Sequence, residues 1–128
     1  MPQAPAPSST SSNTALERWS HRAGDAALAT LVIPPHATRE RRFEISVAMT
    51  VKVPADAALG TCWHEMSVAA NGAQRWRRRV PSHNAGSFDG LDYRFTRFVP
   101  VGETLRLVVA VQGRGVQRRS VDIEADEM

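Results

Sequence analysis

The chain is poor in cysteine, lysine and aromatic residues, and each shortage excludes something. Cys62 is the only cysteine among 128 residues, so an intramolecular disulfide is excluded. Lys52 is the only lysine, which leaves arginine to supply nearly all of the 16 basic side chains. Arginine pairs in a planar, bidentate way that suits interfaces, although GC-rich coding DNA would produce the same bias. Aromatic residues make up only 6%, so few rings are left over as exposed stacking platforms.

Long apolar segments are also missing. No apolar run approaches the ~20 residues that a membrane span needs, so no membrane partner is expected. The first residues, MPQAPAPSSTSSN, have neither a charged leading region nor an apolar centre, and therefore do not resemble a secretory signal. A cytoplasmic location is the resulting expectation, with a virion as the alternative.

The composition divides the chain into an arm and one domain. Residues 1–13 carry no charge and consist mainly of Pro, Ala, Ser and Thr, which cannot bury enough apolar surface to offset the cost of ordering. We expect a flexible arm at 1–13 and a single domain at 14–128, because a chain of this length supports one core. The domain ends in the acidic stretch VDIEADEM, which could screen a basic face of the same molecule.

The segment RRFEISVAMTVKVP alternates strictly between apolar and other residues. Its apolar side chains from Phe43 to Val53 point one way, which defines a strand with one buried face. Further apolar or alternating segments follow at intervals of about ten residues, separated by Gly, Pro and Asn turns. This pattern predicts an all-β fold: an antiparallel immunoglobulin-like or jelly-roll sandwich of about seven strands.

A short helix is predicted before the first strand. Thr14 to Glu17 matches a capping box, and Gly24 is a suitable end for a helix over roughly 15–23. An extended entry into the sheet is the alternative.

A bulge is predicted in DYRFTRFVP. Tyr93 and Phe95 share one face of this strand while Phe98 falls on the other, which indicates an extra residue near Arg97.

The stretch FTRFVPVGETLRLVVAVQGRG, within residues 95–115, resembles the E–F–G region of fibronectin type III domains. In that family a corner with Pro and Gly precedes a strand and a hairpin follows it. Here Val101 is an additional residue in the corner, and Leu105 stands where the family usually has Tyr. The resemblance supports an immunoglobulin-like sandwich and implies nothing about function.

The stretch TCWHEMSVAANGAQRWRRRV predicts a hairpin that turns at Asn71 and Gly72. A two-residue turn would place apolar Met66 opposite Arg77, whereas a three-residue loop sorts polar from apolar side chains. We favour the three-residue loop. It pairs Met66 with Trp76 and Cys62 with Val80 on the core side, and Glu65 with Arg77, Ser67 with Arg75 and Trp63 with Arg79 on the solvent side.

No catalytic or metal-binding motif stands out. Cys62, His64 and Met66 could share one strand face, but they would spread over more than ~13 Å, too far for one ion, so we expect core residues and no cofactor. The loop SHNAGSFDGLD holds His83 and Asp89, but the chain contains no recognisable triad or phosphate-binding pattern. We therefore expect no enzyme.

Two function classes remain, and both use the arginine-rich hairpin strand. The first is a protein–protein interaction module, a structural, assembly or decoration subunit of a phage or another large particle, as a homo-oligomer or with another protein. Its predicted contact residues are Arg75, Arg77, Arg79, Trp63 and Glu65, since Arg and Trp are enriched at interface hot spots. The alternative is an electrostatic single-stranded nucleic-acid binder. Its predicted residues are Arg75, Arg77, Arg79, Arg118 and Arg119.

Overall fold

The computed structural model describes residues 15–58 and 60–128, so the arm predicted at 1–13 lies outside the described residues. The described residues form eight strands and no helix. The strands are β1 (Arg18–Arg22), β2 (Leu28–Ile33), β3 (Arg41–Lys52), β4 (Trp63–Ala70), β5 (Ala73–Pro81), β6 (Phe88–Val99), β7 (Leu105–Arg114) and β8 (Gln117–Glu127). The prediction of an all-β antiparallel sandwich is confirmed.

The strands form two four-stranded sheets. Sheet A has the order β1-β8-β3-β6 and sheet B the order β2-β7-β4-β5. Every connection crosses from one sheet to the other except the β4–β5 hairpin. This is the strand order of a jelly roll, one of the two sandwich architectures that the sequence left open. In an immunoglobulin-like sandwich the last two strands are neighbours in one sheet, whereas here β7 and β8 lie in different sheets.

The core lies between the two sheets and follows the predicted alternation. Along β3, the apolar residues from Phe43 to Val51 are almost completely buried, and Val53 continues the pattern beyond the strand. Sheet B supplies the facing layer through the inward residues of β4 and β7, which include Met66, Val68, Leu107 and Val109. A layer of this kind stabilises the fold through the apolar area that it removes from water.

The predicted helix over residues 15–23 is wrong: this segment contains strand β1. β1 pairs with β8 in register from Arg18 opposite Asp126 to Arg22 opposite Asp122. The apolar face of the predicted helix would have had only three residues, too few to stabilise so short a helix. Pairing along β8 instead satisfies the backbone, and Arg18 forms an ion pair of 3.0 Å with Asp126.

The bulge predicted near Arg97 is also wrong. β6 pairs with β3 without interruption from Phe88 to Val99. The prediction assumed that Phe98 is buried because it is apolar, but Phe98 faces outward and is 46% exposed. Register shifts occur instead between Thr50 and Val51 against β8, and between Val68 and Ala69 against β5.

A buried ion network closes one end of the sandwich. Glu17 accepts hydrogen bonds from Arg41 Nη1 at 2.7 Å and Arg39 Nη2 at 3.2 Å, and Arg39 also pairs with Glu127. Burial raises the pKa of Glu17, but hydrogen bonds from Trp19 and Arg41 outweigh it and leave the pKa below its usual value. The network joins the segment before β1 to the start of β3 and the end of β8.

Candidate protein-interaction site

The β4–β5 hairpin carries most of the predicted site, and its turn is a two-residue type I′ turn. Asn71 and Gly72 have φ angles of 49° and 83°, and Ala70 pairs with Ala73. The Asn71 side chain also anchors the turn to β7: its Oδ1 accepts the Arg106 backbone N–H at 2.7 Å. The three-residue loop that the sequence favoured is therefore wrong at the tip.

A bulge two residues below the turn restores the predicted faces. Between Val68 and Ala69 the register shifts by one, so that Val68 pairs with Trp76 and Glu65 pairs with Arg79. The sequence predicted Met66 as the partner of Trp76, which is wrong by two positions, since the observed partner is Val68. Because a shift of two residues preserves the faces of a strand, Arg77 and Arg79 still share the solvent face with Glu65. Polarity is thus sorted by a bulge in the strand and not by the loop.

Glu65 is a buried carboxylate on the outer face of sheet B. It accepts hydrogen bonds from Arg77 Nε at 3.0 Å, Arg79 Nε at 2.8 Å and Gln112 Nε2 at 2.9 Å. Its burial raises the pKa of the carboxyl, but the bonds from Arg77, Arg79 and Gln112 outweigh it and hold the pKa below the usual range. The carboxylate therefore fixes two guanidinium groups in place on this face.

Trp63 completes the cluster. The guanidinium carbon of Arg79 lies 3.6 Å from the centroid of the Trp63 ring, a cation–π contact. A groove of about 290 Å³ runs beside this pair and is also lined by Gly60, Val80 and Pro81. Pockets for small-molecule ligands usually occupy ~300–1,000 Å³, so this groove is at the lower end of that range.

A strip of small and aliphatic side chains lies next to the cluster. In the middle of sheet B, Ser67 and Ala69 of β4 lie opposite Ala110 and Val108 of β7. At the edge, Leu28 is 60% exposed and Val32 45% exposed. The outer face of sheet B therefore combines a shallow apolar strip with a set of ordered charged and aromatic side chains. We call this surface the B face; it comprises Leu28, Val32, Trp63, Glu65, Ser67, Ala69, Arg77, Arg79, Val108 and Ala110.

Arg75 does not join the other two arginines. It lies at the bulge, and its guanidinium carbon is 4.8 Å from the ring of Phe95 in the opposite sheet. Sequence reasoning missed this because it placed Arg75 by strict alternation, which a bulge interrupts.

Arg118 and Arg119 are separated from the hairpin. They lie on β8 in sheet A, where the Arg118 Nε donates to the Asp25 carbonyl oxygen at 3.0 Å. The structure therefore does not bring the five arginines of the nucleic-acid prediction into one groove.

The acidic C-terminal stretch does not screen the hairpin. Asp122, Glu124 and Asp126 alternate along β8 and lie on the outer face of sheet A, on the opposite side of the sandwich from the B face. Glu127 points inward and pairs with Arg39. Charge is thus distributed between two faces, which a linear sequence does not reveal.

The strand residues that were weighed as metal ligands are core residues. Cys62 is 5% exposed, His64 1% and Met66 0%. His64 Nδ1 lies 2.7 Å from Ser82 Oγ, and Nε2 lies 3.3 Å from the Gly90 carbonyl oxygen. A carbonyl can only accept, so Nε2 donates, and in the neutral ring Nδ1 then accepts from the serine hydroxyl. No group of three His, Cys, Asp or Glu side chains within residues 15–58 and 60–128 is placed to hold a metal ion.

Ser82 and His64 are in hydrogen-bond contact, as a nucleophile and its base would be, but the groups around them hold the strands together. Ser82 is completely buried, and the far nitrogen of His64 meets a backbone carbonyl and not a carboxylate. The nearby Asp89 accepts from the backbone N–H groups of His83 and Asn84; burial raises its pKa, and these bonds outweigh that effect and lower it. The pair fastens β4 to β6 and to the end of β5.

Within the described part of the chain, no helix is long and apolar enough to cross a membrane.

Comparisons with known proteins give the fold and no family. No protein-family model and no curated protein sequence matches the chain. A crystal structure of dimeric latent PorU from Porphyromonas gingivalis matches 85% of the chain with a TM-score of 0.52 and 18% identity. The mosquito-larvicidal Cry4Aa toxin from Bacillus thuringiensis matches 80% of the chain with a TM-score of 0.47 and 10% identity. The chain spans 10% of the first protein and 18% of the second, so each likeness covers a small part of a much longer chain.

Proposed function

We propose that the chain is a non-enzymatic jelly-roll module that works by protein–protein contact, as a structural, assembly or decoration subunit. The observation that carries the proposal is the B face, where Glu65 holds Arg77 and Arg79 beside an apolar strip. Binding loses free energy when long side chains must be ordered, so arginines that are already held in place favour a protein interface.

The size of the B face is suitable for this role. Four strands about 4.8 Å apart and six to ten residues long present several hundred Å² on one side. A standard interface takes ~800 Å² from each partner, so the B face with its rim is of the required order. Its apolar strip next to Trp63 and two arginines has the composition of an interface centre with a polar rim.

We propose a second copy of the chain as the partner of the B face, in accordance with the homo-oligomer expectation. The test is sedimentation velocity of the full chain from about 1 to 200 µM, since self-association depends on concentration. Ala110→Arg introduces a long charged side chain into the middle of the strip. Thr96→Arg is the matched control, because Thr96 is exposed on the outer face of sheet A.

The expected result is association that increases with concentration, is unchanged in Thr96→Arg, and is lost in Ala110→Arg at an unaltered melting temperature. A wild-type chain that remains monomeric over the whole range contradicts self-assembly. Association that survives Ala110→Arg contradicts the choice of the B face.

Nucleic-acid binding is the weaker candidate. Its predicted residues lie on both sheets, and Arg77 and Arg79 already share one carboxylate. Phosphate would have to compete with Glu65 for both of them.

A further inference from the structure

The two edge strands β5 and β6 lie across from each other at the same open side of the sandwich. β5 ends sheet B and β6 ends sheet A. The rings of Trp76 and Tyr93 stack between them at 4.7 Å with 7° between their planes, and Phe95 stacks on Tyr93 at 5.4 Å. Each edge strand has no neighbouring strand on one side; at the start of β6 the carbonyl oxygens of Phe88 and Gly90 accept hydrogen bonds from the side chains of Asn84 and His64.

This side carries three arginines without an ion pair among the described residues. We call it the arginine seam; it comprises Arg75, Arg78 and Arg97. None of the three forms an ion pair with a carboxylate of residues 15–58 or 60–128. β5 contains no acidic residue; on β6, Asp89 is bonded to backbone N–H groups of its own loop and Asp92 lies on the outer face of sheet A. The seam is therefore a positively charged surface.

The aromatic rings of the seam are not free to stack on nucleobases. Trp76, Tyr93 and Phe95 cover one another, and the guanidinium of Arg75 lies over Phe95. Single-strand nucleic-acid binding relies on exposed aromatic platforms, which this arrangement does not provide. What the seam does provide is guanidinium groups beside unpaired strand backbone.

We propose that the arginine seam binds an acidic polypeptide segment of a partner protein in extended conformation, as an added strand on β5 or β6. Backbone hydrogen bonds to an open edge provide affinity in this mode, and side chains that alternate along the added strand provide specificity. Carboxylates on such a segment pair with the unneutralised arginines. The inference rests on the proposed function in that the partner is a protein, but it uses a different surface from the B face.

Charged edge strands also protect sheets against unwanted pairing. Arginines placed for protection alone would repel a basic strand and would disfavour a neutral one through the cost of desolvating the guanidinium groups, and they would not bind an acidic strand tightly. The two roles therefore differ in measurable affinity for an acidic strand.

The test is fluorescence anisotropy with a labelled twelve-residue peptide of alternating Glu and Val. A peptide of the same charge with two central Val replaced by Pro cannot add as a strand, and an oligodeoxythymidylate of equal charge reports nucleic-acid binding. The protein variants are Arg75→Ser with Arg78→Ser in the seam, and Arg106→Ser with Arg114→Ser as the control, four exposed arginines in matched pairs.

We expect the Glu-Val peptide to bind at low salt, the seam variant to weaken binding about tenfold and the control variant to leave it within about threefold. The proline peptide should bind at least about tenfold more weakly. Amide hydrogen exchange should slow in β5 or β6 when the Glu-Val peptide is bound.

Equal weakening by the two variant pairs, equal affinity for the proline peptide, or tighter binding of the oligonucleotide overturns the proposal, as does the absence of binding. These outcomes leave the concentration dependence of sedimentation unaffected, so failure of the seam and failure of the B face are distinguishable.

Discussion

Glu65→Gln is the substitution that most sharply tests how the B face is held together. The amide keeps the size of the carboxyl but removes its charge and one acceptor oxygen. Glu65 is 5% exposed in its side chain, whereas Arg77 is 54% and Arg79 49% exposed. The variant therefore leaves no buried cation behind, because water can solvate both guanidinium groups.

The expected magnitude follows from this asymmetry. A hydrogen bond to a charged group contributes about 1.5–3 kcal/mol when both partners are withdrawn from water, and an exposed ion pair about 0–1 kcal/mol. With two half-exposed arginines on one buried carboxylate, each contact falls between these limits. We expect the free energy of unfolding of Glu65→Gln to drop by about 1–3 kcal/mol in urea denaturation at pH 7.

The control is Glu44→Gln, an exposed carboxylate on the outer face of sheet A without an ion pair among the described residues. It should change stability by less than about 0.5 kcal/mol. If Glu65→Gln is equally neutral, the carboxylate does not fix the two arginines, and the preorganisation argument for the B face is refuted.

The pH dependence of the free energy of unfolding tests the same carboxylate, and the direction of the change is known. The pKa of Glu65 is lower in the folded chain than in the unfolded chain, so below neutral pH the unfolded state binds the proton first. The stabilisation is fully present above the unfolded pKa of about 4.3 and is lost as the pH falls through the folded pKa. The difference between the wild type and Glu65→Gln should therefore shrink toward zero in denaturation curves measured on acidification. A difference that stays constant would show that charge is not its cause.

The remaining predictions concern the frame of the sandwich. A Cβ at Gly90 would lie 2.5 Å from the Met49 carbonyl oxygen, so Gly90→Ala should force β6 away from β3. We expect the free energy of unfolding to fall by about 2–3 kcal/mol and the melting temperature to fall by several degrees. An unchanged melting temperature would contradict the observed pairing. Glu17→Gln deprives the buried Arg41 of its carboxylate and should cost about 2–4 kcal/mol in chemical denaturation. A loss below about 0.5 kcal/mol would show that the ion network does not hold the end of the sandwich.

The fold class was predictable because burial repeats along the strands with a period of two. From Phe43 to Val51 every second residue is apolar and buried, and such a pattern has one structural interpretation. The strand order was not predictable, because it depends on which segments pair across the chain. β1 was interpreted as a helix for the same reason, because its partner strand β8 is more than a hundred residues away in sequence.

The candidate site was predictable in its faces and not in its contacts. The polarity of Glu65, Arg77 and Arg79 placed them on one side, and the structure joins them. The bulge beside Val68 was not visible, because a type I′ turn and a bulge together produce the same faces as a longer loop. Ser82 was missed as the partner of His64, since nothing in a loop sequence marks a serine that is buried against a distant strand.

The measurement that tests the central claim most directly is hydroxyl-radical footprinting of the full chain at about 1 and 200 µM, concentrations between which self-association should develop. Leu28 and Val32 on the B face and Phe88 and Phe98 on sheet A are comparably exposed, between 45% and 60%. The account predicts that Leu28 and Val32 lose reactivity at the higher concentration while Phe88 and Phe98 keep theirs. Protection of the two phenylalanines, or equal reactivity of all four side chains at both concentrations, would contradict it.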